Sequence, residues 1–216
     1  MKKYSVVLVD LDGTLSDPKI GITKSVQYAL EKMDIVERDL DKLETFIGPP
    51  LQVSFKEIYG LDDALINQAI TYYRERFTDK GMFENQLYQH ITTLLEHLKK
   101  QGYRLAVATS KPTVFAEQIL NHFNLAQFFE LIVGSNLDGT RSAKGDIIAD
   151  VLAYFSEFNE DQFIMVGDRK YDLIGANENH IDSIGVTYGY GSLEELVDAK
   201  ATYIVHSVNE LKEILT

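Results

Sequence analysis

The sequence contains no cysteine, which excludes disulfides, thiolate nucleophiles and zinc–thiolate sites. No stretch approaches the roughly 18 apolar residues of a membrane-spanning helix, so no membrane partner is expected. The N-terminal apolar run is six residues long and reaches Asp10 at once. That is too little for a signal peptide, and a cytoplasmic location is the expectation. Positive charge is also scarce: 21 Lys and Arg stand against 33 Asp and Glu, a formal net charge of −12. Such a balance argues against a general nucleic-acid-binding surface. It leaves room for a phosphorylated substrate, because a local basic pocket or a metal can bind phosphate on an acidic protein. With 216 residues, 45% of them hydrophobic, the chain can bury one sizeable core, or one domain carrying a smaller insertion.

What the chain does have begins at its N-terminal end. Residues 4–9, Tyr-Ser-Val-Val-Leu-Val, read as a buried strand too short to be a helix. The strand runs into Asp10-Leu11-Asp12-Gly13-Thr14-Leu15. Carboxylates at the end of a buried strand are costly unless something compensates them. A divalent cation is the natural compensation, because hard cations take carboxylate and carbonyl oxygens. Strict alternation sends Asp10 and Asp12 to the same side, and Gly13 lets the chain turn directly after them. Asp-Gly is also an ordinary turn signal. A calcium loop of the EF-hand type does not fit, since Leu15 stands where that loop needs glycine and Gly21 where it needs glutamate.

Residues 18–81 read as helical throughout. Ile22, Val26, Ala29, Leu30 and Met33 share a helical face behind Pro18. Short helices are expected at 40–46 and 51–59, separated by Gly48-Pro49-Pro50, and a longer one carries Leu65, Ile66, Ala69, Ile70, Tyr73 and Phe77. Beyond this region helices alternate with strands. Strands are expected at 103–108, 131–133, 163–166, 183–187 and 202–205. Helices are expected at 92–101, 113–123, from Ala143, at 171–179 and at 208–215. This alternation predicts right-handed βαβ units and a parallel sheet. The expected architecture is an α/β core, 1–16 and 82–216, with a small all-helical domain, 17–81, inserted after the first strand.

In an open parallel sheet, ligands bind beyond the carboxyl ends of the strands. The first strand ends in Asp10 and Asp12, and the second in Thr109 and Ser110, followed by Lys111. Lys144 opens a helix near the third. The fourth ends in Asp168, with Asp172 one helical turn on. Each has an ordinary alternative: a cap for Thr109, a solvated surface for Lys144, a turn and a helix-start acid for Asp168 and Asp172. Their joint placement at one sheet edge points to a site. A phosphate loop is absent, since Thr140-Arg141 follows Gly139, and Gly189-Tyr190-Gly191 lacks the third glycine of a dinucleotide fingerprint.

The same residues, in the same order, resemble the haloacid dehalogenase superfamily, most of whose members are phosphatases. Asp10-Leu11-Asp12-Gly13-Thr14-Leu15 is similar to its first motif, Thr109 to its second, Lys144 to its third, and Gly167-Asp168-Arg169-Lys170-Tyr171-Asp172 to its fourth. Gly145 stands where the family often has a proline after the lysine, and Arg141 is a competitor for that role. Ile47-Gly48-Pro49-Pro50-Leu51 and Val186-Thr187-Tyr188-Gly189-Tyr190-Gly191 resemble phosphoglycolate phosphatase-like proteins and some 5′-nucleotidases. The resemblance implies a Rossmann-like core with a helical cap, and a magnesium ion (Mg2+) bound by Asp10, Asp12 through its carbonyl, Asp168 and Asp172. It makes Asp10 the nucleophile, Asp12 the acid and base, and Thr109 and Lys144 the phosphoryl holders. Candidate substrate contacts are Gly13, Thr14, Ser110, Lys111, Gly48 and Pro49, with Arg74 and Arg76 less supported. The expected partner is a small phosphomonoester, with no nucleic acid or membrane, in a monomer or homodimer. The leading reading is a magnesium-dependent phosphatase of small phosphomonoesters, phosphoglycolate phosphatase-like; a 5′-nucleotidase acting on nucleoside monophosphates, a phosphomutase of the same fold and a non-catalytic binding protein are the alternatives, and dehalogenation would not need Asp12.

Overall fold

The computed structural model describes residues 4–216; residues 1–3 of the expected core lie outside them. The chain divides into two compact units, Met1–Asp17 with Leu87–Thr216, and Pro18–Gln86. The first strand, β1, spans Val6–Val9, and a two-residue strand, β2, spans Ser16–Asp17.

The unit Pro18–Gln86 is helical. It contains α1 (Lys19–Lys32), a 3₁₀ segment Asp41–Phe46, α2 (Leu51–Tyr59) and α3 (Asp63–Asp79). The short helix expected at 40–46 is a 3₁₀ segment that buries Leu43 and Phe46. Phe46 packs edge-on against Phe55 of α2. Helices α1 and α3 bury Ile22, Val26, Ala29 and Leu30 and Ile66, Ala69, Ile70, Tyr73 and Phe77. Gly21 lets α1 press against the 3₁₀ turn Gly81–Phe83, where any Cβ would strike the Gly81 carbonyl. The sequence-expected boundary at Gly81 therefore falls inside this unit. Arg76, a candidate substrate contact, is committed inside the unit: it pairs with Glu84 at 2.8 Å and donates to Ser25 Oγ.

The chain re-enters the first unit through β3, Gln86–Leu87, which pairs with β2. Then follow α4 (Ile91–Lys100), β4 (Arg104–Pro112), α5 (Thr113–His122), β5 (Leu131–Ser135), α6 (Lys144–Tyr154) and β6 (Phe163–Gly167). The chain closes with α7 (Lys170–Glu178), β7 (Asp182–Val186), α8 (Leu193–Asp198), β8 (Tyr203–Val205) and α9 (Val208–Leu215). The strands form a six-stranded parallel sheet ordered β5-β4-β1-β6-β7-β8.

Strands covered on both faces need no polar alternation, and β1 and β6 are buried at every position. Val6, Leu8, Ala106, Ala108, Phe163 and Met165 pack with Ile147, Ile148 and Val151 of α6 and Ala176 of α7. Residues of the other parity, Val7, Val9, Leu105, Val107 and Ile164, are buried as well. From β1 the chain proceeds to β4 and β5 on one side, then crosses to β6, β7 and β8 on the other. The order reverses between β1 and β6, and a crevice opens at such a reversal, beyond the strand ends.

Candidate functional site

Sheet register brings the strand-end acids together. Val9 of β1 lies opposite Val166 of β6, and the Asp10 N–H still donates to the Val166 carbonyl at 2.9 Å. The two strands therefore end at the same level, one in Asp10 and the other in Gly167-Asp168. Asp172, in the first turn of α7, returns to that place, its Oδ2 accepting from the Arg169 N–H at 3.1 Å. Oxygens of Asp10, Asp168 and Asp172 all lie within 4.8 Å of one another, and all three residues are buried.

Lys144, the first residue of α6, reaches into this cluster. Its Nζ lies 3.0 Å from Asp10 Oδ1 and 2.7 Å from Asp172 Oδ1, and it donates to the Ala108 carbonyl at 2.9 Å. Arg141, the competitor, is half-exposed and pairs with Asp150 instead. Asp12 stands apart from the three acids: its Oδ2 pairs with Lys111 Nζ at 2.7 Å, and both side chains are buried. Its Oδ1 is buried without a hydrogen-bond partner among the described residues.

Thr109 is buried at the end of the same β4 segment, and its Oγ1 accepts from the Lys111 N–H at 3.3 Å. The Ser110 hydroxyl turns away to the Ser142 carbonyl. Thr14 is buried, and its hydroxyl has no partner among the described residues. Gly13 has φ +79°, and a Cβ there would collide with the Asp168 carboxylate. Gly48 and Pro49 belong to the helical unit, in the turn before α2, where Gly48 has φ 104°.

The electrostatics follow from burial. Burial, then the charges of Asp172 and Asp10, holds the Asp168 carboxyl well above the usual range. Burial pushes Asp172 up to about 6, with Lys144 opposing. It also raises Asp12, against the pull of Lys111. Burial alone would lower Lys144, but Asp10 and Asp172 outweigh it and raise its pKa. When all are ionised, Asp10, Asp12, Asp168 and Asp172 exceed Lys111 and Lys144 by two negative charges. Asp168 Oδ1, moreover, is buried with no hydrogen-bond partner among the described residues. Unpaired buried carboxylate oxygens and a twofold charge excess fit a divalent cation, and this cluster could hold one.

The model of the haloacid dehalogenase-like hydrolases matches residues 7–186. The chain belongs to that family. It is 46% identical over 214 residues to a 5′-nucleotidase of Pseudomonas aeruginosa, covering 99% of this chain and 96% of that protein. It is 37% identical to the tyrosine-protein kinase PtkA of Mycobacterium tuberculosis, over 97% of this chain and 72% of the relative. A predicted phosphatase from Clostridium acetobutylicum, of known crystal structure, superposes with a TM-score of 0.94 at 55% identity, covering 97% of both chains. This family member is a hydrolase by kinship.

Sequence reasoning missed two features of the site. The first is the buried Lys111–Asp12 pair. The second is the Tyr188–Gly191 loop, whose Tyr190 N–H donates to Asp168 Oδ2 at 2.8 Å. The signal was there: Gly189 and Gly191 admit no side chain, since a Cβ on either would strike Asp168.

Proposed function

We propose that this protein is a magnesium-dependent phosphatase of small phosphomonoesters, working through an aspartyl-phosphate on Asp10. The supporting observation is the Lys144 bridge between Asp10 and Asp172, beside Asp168, at the crevice between β1 and β6. Magnesium, held by Asp10, Asp168, Asp172 and the Asp12 carbonyl, would offset phosphoryl charge and align phosphorus for in-line displacement.

The chain's own groups supply the rest. The Asp10 carboxylate attacks phosphorus, and the bond to the leaving oxygen breaks. Asp12 delivers a proton to that oxygen from its unpartnered Oδ1, and burial favours the protonated form this needs. Asp12 then takes a proton from the water that hydrolyses the phospho-aspartate. The Thr109 hydroxyl and the Ser110 N–H hold phosphoryl oxygens where the Gly13-Thr14 turn leaves room, and Lys144 offsets their charge. Lys111, fixed beside Asp12, is a substrate contact on the leaving-group side.

These groups meet only phosphate and the atom bonded to it. Selectivity among phosphomonoesters therefore falls to the unit Pro18–Gln86, acting as a cap, with Gly48-Pro49 as the proposed reading loop. The relative named 5′-nucleotidase, at 46% identity, favours nucleoside monophosphates. The Gly48-Pro49-Pro50 and Thr187–Gly191 resemblances keep phosphoglycolate as the other reading.

The test is phosphate release from nucleoside monophosphates, phosphoglycolate, a sugar phosphate and phosphotyrosine, with magnesium and with chelator. Phosphotyrosine is included because of the kinase name carried by the mycobacterial relative. Release from at least one substrate should require magnesium and vanish in Asp10→Asn. Undiminished release in excess chelator, or near-normal turnover in Asp10→Asn, overturns the reading.

A further inference from the structure

Asp168 is fully buried in the cluster, and one of its oxygens is spoken for. The Tyr190 N–H donates to Oδ2 at 2.8 Å, and Oδ1 has no hydrogen-bond partner among the described residues. Tyr190 also uses its other end. Its hydroxyl donates to the Asp17 carboxylate, the last residue of β2. Two residues earlier, the Tyr188 hydroxyl donates to the Thr14 carbonyl at 3.1 Å. The Tyr188 ring is stacked edge-on by Tyr88, with centroids 4.9 Å apart, and the Tyr88 N–H donates to the Leu15 carbonyl. The loop is thus fastened at both tyrosines to the segment 14–17, while its glycines press on Asp168. A Cβ on Gly189 would meet Asp168 Cβ and the Gly13 carbonyl, and one on Gly191 the Asp168 carbonyl.

We infer that Tyr190 is a positioning residue for Asp168, and that the hydroxyl bond to Asp17 is the latch that keeps its N–H aimed at Oδ2. The carboxylate can rotate about its terminal torsion. A donor fixed on one oxygen stops that rotation and presents the free oxygen to the cluster. Partners that orient a ligating carboxylate in this way commonly change metal affinity about 10- to 100-fold when removed. Because Asp17 is the last residue before the helical unit, the latch ties the exit of the chain to the geometry of the acids. The inference rests on the reading of Asp168 as a magnesium ligand.

The experiment measures magnesium binding directly, by calorimetry on the metal-stripped full-length protein, well below its melting temperature. No substrate is present. Tyr190→Phe removes the hydroxyl and keeps the N–H. Its magnesium dissociation constant should rise about tenfold. Asp17→Ala should do the same, and the double variant should be no weaker than either single, since both cut one bond. Asp17→Asn keeps an acceptor oxygen and should bind nearly as the wild type does. A merely structural role predicts a lower melting temperature with unchanged magnesium affinity. That result in Tyr190→Phe, or additive losses in the double variant, overturns the inference. A wild type that binds no magnesium overturns the metal-site reading and this inference with it.

Discussion

Lys144 is the residue whose removal should be felt most clearly in the fold as well as in the chemistry. Its ammonium stands 3.0 Å from Asp10 Oδ1, 2.7 Å from Asp172 Oδ1 and 2.9 Å from the Ala108 carbonyl. The side chains of Lys144, Asp10 and Asp172 are 4%, 7% and 1% exposed, so solvent screens the pair little. Lys144→Met keeps the stem and deletes the charge. Breaking a buried pair from one side typically costs about 3–5 kcal/mol, because the remaining charge is stranded. Here the loss is partly relieved. Burial already holds the Asp172 carboxyl up at about 6 with the lysine present, so without it the carboxyl takes up a proton at neutral pH. The lower end, about 3 kcal/mol, is therefore expected in metal-free buffer at pH 7, or about 6–12 °C in Tm for a chain of this size. Urea denaturation of wild type and variant, with and without magnesium, measures it. Magnesium should restore part of the loss, since a cation among the same acids replaces some of the missing charge. A metal-free variant within about 1 kcal/mol of wild type would mean that the bridge does not hold the cluster together.

Further outcomes are expected. Gly13→Ala should cost about 1–3 kcal/mol and abolish magnesium binding, because φ is +79° and the new Cβ would collide with the Asp168 carboxylate; calorimetry and urea melts check both, and an innocuous Gly13→Ala would contradict the packing. Burial holds the Asp172 carboxyl up at about 6 when folded, above its unfolded value of about 3.9. The native state thus holds the extra proton, and this residue's contribution to metal-free stability should fall as pH rises between those values and stay level above them; the stability difference between wild type and Asp172→Asn, followed by urea against pH, reports it. Magnesium affinity should move oppositely, strengthening from pH 5 to pH 7 as the cation no longer has to displace that proton. Finally, Gly48→Ala and Pro49→Ala should reorder kcat/KM among a nucleotide, phosphoglycolate and a sugar phosphate more than they change hydrolysis of a small aryl phosphate; unchanged ratios in both would make the loop a simple turn between helices.

The parallel sheet was legible because its central strands carry no polar alternation at all. A run such as Val6–Val9 or Phe163–Gly167 can only be buried on both faces, so polar residues following such runs stand out. Elements without that signal were not legible. Helix α8, Leu193–Asp198, buries only Leu196 and leaves Leu193 and Val197 exposed, so no apolar stripe announces it. Strands β2 and β3 are two residues each, too short to show any alternation.

The site divides along the same line. Asp10 and Asp168 lie at strand ends, and parallel register alone brings such ends level, whatever the loops do. Lys144 is 134 residues from Asp10, yet it follows the same rule, because it opens the helix that packs on that sheet. Lys111 and Tyr190 follow no such rule. Lys111 lies in the last part of β4, where the pairing with β5 shifts register between Ala108 and Pro112, and its side chain pairs with Asp12. Tyr190 sits in a loop whose path is set by two glycines fitting against Asp168 and by a hydroxyl bond to a residue 173 positions away. Periodicity carries no trace of either contact. Regular structure thus delivers the acids and the lysine of the cluster, and irregular backbone fixes how they are aimed. Substitutions of the cluster acids should remove metal binding outright, and those of Lys111 or Tyr190 should grade it.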